Sequence, residues 1–126
     1  MPEIEKKIVL FLIIVYYLLW LLMGIIYYLK QPKDINGFYG YRTPRSMENL
    51  EIWHYANKLA AKYMLIITHV TVAISLLYFF LFKDILSFTA TFLPINFFYC
   101  FSLVLLIPIV ERKLKRFEAK QKSAQI

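Results

Sequence analysis

Three long stretches without a formal charge constrain this chain more than anything else in it. Ile8–Leu29 is 22 residues with no charged side chain; at ~1.5 Å rise per residue it reaches about 33 Å, enough for a ~30 Å hydrocarbon core. Tyr63–Phe82 is 20 residues with Thr68, His69, Thr71 and Ser75 as polar interruptions, and Ile85–Val110 is 26 residues broken by Pro94, Asn96 and Pro108. Hydrocarbon offers no partner for a backbone amide, so runs of this length must satisfy themselves as helices. A hydrophobic share of 60% in 126 residues exceeds the roughly half found in soluble domains. The expected fold is therefore an all-α integral membrane protein, one domain over residues 1–126, with three transmembrane helices.

A cleaved secretory signal is the competing reading of the first run. Such an h-region usually spans ~7–15 residues and ends in small residues. Here the run is longer and is followed by Lys30-Gln31-Pro32-Lys33, so it is expected to stay in the mature protein. Tyr27 and Tyr28 suit an interfacial anchor, whereas Trp20 at mid-depth suits packing against another helix.

Orientation follows from the cations. Lys6 and Lys7 precede the first run, six lie between the first and second, Lys83 lies between the second and third, and six follow the third. Three spans place the first connection and the tail on one side, which collects twelve of the fifteen Lys and Arg residues. The positive-inside rule then puts residues 30–62 and the basic tail 111–126 in the cytoplasm, with the N-terminus outside. The net charge of +7 fits anionic lipid headgroups better than direct nucleic-acid binding, because a basic segment beside a span meets the lipid surface first. The lone Cys100 can form no intrachain disulfide and is expected to be a small packing residue.

The first connection carries the chemistry. Residues 30–41, with Pro32, Asn36, Gly37 and Gly40, are turn-rich, and the two glycines suit positive backbone angles or close packing. Thr43-Pro44-Arg45-Ser46 then predicts a helix starting near Met47, with Ser46 as cap and Glu48 in the first turn. Met47, Leu50, Trp53, Asn57, Ala60 or Ala61 and Met64 recur at helical steps, opposite a stripe of Glu48, Glu51, Tyr55, Lys58 and Lys62. The result is an amphipathic cytoplasmic helix leading into the second span, either continuously or through an unmarked kink.

The block Asn36…Gly40-Tyr41-Arg42-Thr43-Pro44-Arg45-Ser46-Met47…Trp53…Ala56-Asn57-Lys58 resembles the signature of the SdpI/YfhL family of small bacterial membrane proteins. The order of elements, one span before the motif and two after it, and the ending Glu111-Arg112-Lys113-Leu114-Lys115 are similar as well, so the resemblance covers about residues 8 to 116. It implies immunity: the family's namesake protects a Gram-positive cell from a secreted killing peptide and signals by recruiting a repressor to the membrane. The namesake carries additional spans before this module.

Read from the residues alone, the motif points to binding. Arg42 and Arg45 present guanidinium forks that match carboxylate or phosphate oxygens, and free amides at the start of the Met47 helix form an anion site beside them. The ligand is an acidic side chain of this protein, a lipid headgroup or a partner's carboxylate, and Arg42 pairing internally with Glu48, Glu51 or Glu111 is the competing structural reading. Trp53 reads as an interface or core anchor. Asn57 on the buried stripe needs a partner on another helix, His69 is expected to bond a neighbouring helix, and His54 to be solvated. His69 and Asn96 are the candidate intramembrane polar positions, with Glu111 at the end of the third run.

Nothing points to catalysis, a cofactor or a metal: there is no phosphate-cradling glycine loop, nucleophile elbow or metal-spaced ligand set. Pro94-Ile95-Asn96 and Pro108 can kink the third span and free carbonyls at membrane depth. The leading expectation is protection against a membrane-active toxin peptide by binding, not turnover. The alternatives are a membrane-tethered module that sequesters a soluble regulator, and a small transporter or channel subunit. A homo-oligomer stays open, since no small-xxx-small stripe marks an interface.

Overall fold

Residues 1–124 are described by the computed structural model of the chain. They form three helices: α1 (Glu3–Leu29), α2 (Leu50–Phe82) and α3 (Phe88–Ala124). Each contains a stretch long and apolar enough to cross a membrane. No strand occurs among the described residues. α2 is the central element, packing on both α1 and α3, while α1 and α3 meet less extensively.

α1 follows the first apolar run and adds a polar turn, Glu3 to Lys7, before it. α2 is one uninterrupted helix of 33 residues, about 50 Å long at ~1.5 Å per residue. Residues 50–62 and the second apolar run are therefore one continuous helix. α3 is longer still, at 37 residues or about 55 Å, because the charged tail after Val110 continues the helix. The last two tail residues lie outside the described part.

Three local expectations need correction. The helix after the motif starts at Leu50, not near Met47, and its cap is Asn49, whose side chain accepts from Ile52 N at 2.9 Å. Ser46 is drawn away from that role. Its hydroxyl accepts from Thr43 N at 2.8 Å and contacts the carbonyls of Tyr41 and Thr43, both at 2.9 Å, closing a turn over residues 44–47. Met47 and Leu50, expected on the buried stripe, are exposed, whereas Ile52, Trp53, Ala56, Asn57, Ala60 and Ala61 are buried. Met47 lies before the helix and Leu50 in its first turn, so the buried stripe begins at Ile52 and Trp53, and Tyr55, placed on the polar side, stacks on Phe117 at 4.0 Å between ring centroids. Cys100 faces outward rather than into the packing.

The prolines do not break α3. Pro94 has no amide to bond the carbonyl of Ala90 four residues back, and the Tyr78 hydroxyl of α2 donates to that carbonyl at 3.0 Å. A polar side chain from the neighbouring helix thus repairs the gap, as membrane helices require.

Two apolar clusters lie along the bundle. One joins Val9 and Ile13 of α1, Phe79 of α2, and Ile95 and Tyr99 of α3, with Trp20 packed against it. The other joins Tyr41 of the connection to Ile52, Ala56 and Ala60 of α2 and Val110 and Leu114 of α3. Gly24 allows the close approach of α1 to α2: a Cβ there would lie 2.7 Å from Leu65 Cδ2.

Candidate functional site

The long connection, residues 30–49, folds down between the helix ends rather than looping away from them. Asn36 begins this by accepting from Phe38 N at 3.0 Å and Tyr39 N at 2.8 Å through Oδ1, a side-chain turn of the kind asparagine favours. Gly40 then takes φ +114°, a region that L side chains rarely enter. Its missing Cβ also matters sterically, for it would sit 2.5 Å from Asn57 Oδ1 and 2.8 Å from Pro32 Cγ. Gly37 needs neither property: its φ is not positive and nothing lies within 4 Å of a Cβ there.

Asn57, with no exposed surface, is the hub that receives the loop. Its Oδ1 accepts from the Tyr27 hydroxyl of α1 at 2.6 Å and from Tyr41 N of the loop at 2.7 Å, and its Nδ2 donates to Trp53 O at 2.9 Å. The expected partner on another helix is thus Tyr27. Trp53, equally buried, donates Nε1–H to Pro32 O at 3.1 Å, so its indole anchors the first half of the connection. The exposed His54 meets Lys33 O.

The second half of the connection is held by Glu111 of α3. Its Oε1 accepts from Thr43 Oγ1 at 2.7 Å and the Tyr41 hydroxyl at 3.0 Å, and its Oε2 from Arg45 Nε at 3.1 Å. Arg45 Nη1 donates onward to Glu118 Oε2 at 2.5 Å. Burial, and after it the neighbouring Glu111 carboxylate, raises the Tyr41 phenol above its ordinary pKa. A raised tyrosine pKa keeps the hydroxyl protonated, so the bond to Glu111 is present below ~10 and is lost only as pH rises through the folded value.

The two arginines therefore divide. Arg45 is the internally paired one, and Arg42 is exposed with no ion pair among the described residues. The expected anion pocket made of both guanidiniums and the amides of a Met47 helix is not built, because Glu111 and Glu118 take Arg45 and Asn49 caps the helix further on. Pro44 and Lys58 are exposed. Glu118 was missed in the sequence, although it lies seven residues after Glu111 and so shares its face of α3.

Beneath the loop is an apolar recess of about 350 Å³, lined by Met23 and Ile26 of α1, Tyr39 and Tyr41 of the loop, Met64 of α2 and Leu106 of α3. The pinned loop forms one wall of it. His69 and Asn96 lie elsewhere and do not converge. His69 Nδ1 contacts Leu65 O of its own helix at 2.7 Å and its ring meets Tyr17 of α1 edge-on, so its hydrogen bond is local rather than interhelical. Asn96 accepts from the Tyr16 hydroxyl at 3.1 Å and donates to Phe92 O at 2.8 Å. No group of three or more metal-ligating side chains occurs among the described residues.

The profile of the SdpI/YfhL protein family matches residues 33–110, more than half of the chain, from the connection to the end of the third apolar run. The chain belongs to the SdpI/YfhL family. A 48-residue stretch is 44% identical to a Bacillus subtilis (strain 168) protein described as "Uncharacterized protein YfhL", covering 38% of this chain and 44% of that one. The match thus spans less than half the length of that relative. No solved structure matches the chain significantly. Within this SdpI/YfhL member, the family match takes in residues 33–49 of the connection, Asn57 and all of α2, while Tyr27, Pro32, Glu111 and Glu118 lie outside it.

Proposed function

We propose that this SdpI/YfhL member protects a bacterial cell against a membrane-active toxin peptide by binding it, not by turnover. The observation that carries the reading is the apolar recess beneath a rigidly held motif loop. A concave apolar site with a few fixed polar groups at its edge is the usual form of a binding site, and hydrogen bonds through Asn57 and Glu111 hold the loop in place before any ligand arrives, which reduces the ordering cost of association. An apolar side chain of the peptide enters the recess, and the exposed Arg42 meets a carboxylate or phosphate beside it. Family membership supports a protective role, and the orientation that goes with it has the N-terminus outside and the loop and tail in the cytoplasm, by the positive-inside rule.

The test is survival of a sensitive bacterium challenged with a panel of membrane-active killing peptides while it expresses the protein at matched membrane levels. Wild type should protect. Met23→Trp, at an exposed position lining the recess, should abolish protection by filling the site, and Arg42→Ala should weaken it. Absence of protection by wild type across the panel would reject this reading.

A second reading has its own support. α2 and α3 both continue past their apolar runs as a two-helix extension bearing the tail cations, a surface suited to sequestering an acidic soluble regulator at the membrane. Co-purification of such a regulator, retained in Met23→Trp but lost on removal of the tail cations, would favour it.

A further inference from the structure

The extension formed by α2 and α3 contains a cleft separate from the recess. Its floor is the Tyr55–Phe117 ring stack, and its rim is Lys113, Arg116 and Lys120 of α3, enclosing about 340 Å³. These three cations follow one another at steps of three and four residues, so they project from a single face of the helix. None of them makes an ion pair among the described residues. The tail's two carboxylates, Glu111 and Glu118, are committed to Arg45 around the helix. Three unpaired cations sharing one concave site repel one another unless an anion joins them.

The height of the cleft decides which anion. Lys113 Nζ lies 5.5 Å from the centroid of Tyr63, the first residue of the apolar run of α2, and Lys113 itself stands three residues after Val110, where the apolar run of α3 ends. Lys113 is therefore level with the edge of the hydrocarbon. Arg116 and Lys120 stand about 9 and 15 Å past that edge at ~1.5 Å per residue, and their long side chains can reach back toward it. Lipid phosphates occupy that layer, and aromatic rings settle there too.

We propose that this cleft is a binding site for an anionic phospholipid headgroup, with the phosphate diester held by Lys113, Arg116 and Lys120 and the water-facing end of the headgroup resting on the Tyr55–Phe117 stack. Arg116 supplies the fork suited to two phosphate oxygens, and the two lysines act as point charges on either side. A bound lipid bridges the faces of α2 and α3 at the point where the helices leave the bilayer. It thereby sets the height of the protein in the membrane.

The experiment uses the full chain reconstituted in mixed phosphatidylcholine and phosphatidylglycerol nanodiscs, with lipid retained per protein measured by native mass spectrometry at physiological salt. Three proteins are compared: wild type; the cleft variant Lys113→Gln/Arg116→Gln/Lys120→Gln; and a control, Arg112→Gln/Lys115→Gln/Lys122→Gln, which removes the same charge from outside the cleft. Wild type and control should retain phosphatidylglycerol selectively, and the cleft variant should lose roughly tenfold or more in apparent affinity, since each cation near an anionic surface contributes several-fold. Arg116→Glu alone, at an exposed position, should produce most of the loss without threatening the fold. Equal losses in cleft and control variants would overturn the site in favour of diffuse surface charge. Displacement by inorganic phosphate as potent as by phosphatidylglycerol would overturn the lipid in favour of a free anion. No loss in either variant would overturn the proposal and leave the cleft to an acidic protein segment.

Discussion

The two ends of the bundle solve the same problem, joining helices outside the hydrocarbon, in opposite ways. At one end α2 passes to α3 through five residues, 83–87, and the ion pairs are those of Lys6, 16% exposed, with Glu3 and Asp84, whose side chains are 79% and 63% exposed, and of Lys83 with Asp84. At the other, twenty residues, 30–49, fold back into the structure around a fully buried asparagine and a shared carboxylate. Solvent reaches both carboxylates of the first set and screens their pairing with Lys6, so these pairs contribute little. The second set is shielded, so each bond is costly to lose. A short connection needs only to turn, whereas a long one is ordered only if something outweighs the entropy of fixing twenty residues, and an element held at that expense is the natural place to find function.

The comparison can be broken most severely at Asn57. Asn57→Leu strips the Tyr27 hydroxyl and Tyr41 amide of their acceptor and should cost about 2–4 kcal/mol in a denaturant or thermal unfolding assay in detergent, while loosening residues 36–46 to hydrogen exchange. Gly40→Ala should follow, at about 1–3 kcal/mol, since the residue must leave φ +114° and clear Asn57 Oδ1. Equal stability of Gly40→Ala and wild type would mean that the loop can be ordered without that turn.

Arg45→Met leaves Glu111 facing Glu118, whose Oε1 is buried and has no hydrogen-bond partner among the described residues. Because the Arg45 side chain is 35% exposed, the expected loss is about 1–2 kcal/mol rather than that of a fully buried pair. Adding Glu118→Gln should restore part of it by removing the repulsion. A double variant no better than the single one would show that Arg45 acts mainly by packing.

At the opposite end, Lys6→Gln should leave the melting midpoint within measurement error. Its pH behaviour is specific all the same. Hydrogen bonding to Lys6 lowers the Asp84 pKa, and hydrogen bonding to Asp84, then Glu3, raises that of Lys6. The contribution from Asp84 is thus present above ~3.9 and lost as pH falls through its lower folded value; that from Lys6 is present below ~10.4 and lost as pH rises through its higher one. Any difference between Lys6→Gln and wild type should stay constant from about pH 5 to 9. A Lys6→Gln loss as large as that of Arg45→Met would abolish the contrast between the ends.

The same contrast governs what could be read before the structure. Asn57 was legible as a buried amide in want of an interhelical partner, because its neighbours at helical spacing are apolar. Its partner Tyr27 was read as an interfacial anchor, since a tyrosine at the end of a span satisfies both roles equally well. Ser46 and Asn49 are both good caps three residues apart, and what separates them is a tertiary fact: Ser46 closes the loop on Tyr41 and Thr43. Arg42 and Arg45 are likewise indistinguishable by type, and only the position of α3 assigns Glu111 and Glu118 to the second.

Three helices long and apolar enough to cross a membrane, their approximate limits and the gathering of motif and tail cations at one end were legible from residue order alone, because an uncharged run long enough for a bilayer has few alternatives to a membrane helix. Which arginine is neutralised, where the middle helix begins, how the tail carries α3 onward and that an apolar recess opens beneath the loop were decided by tertiary structure. Those outcomes turn on competition between chemically equivalent groups, and the winner is whichever one the packing of a distant helix brings within hydrogen-bond reach.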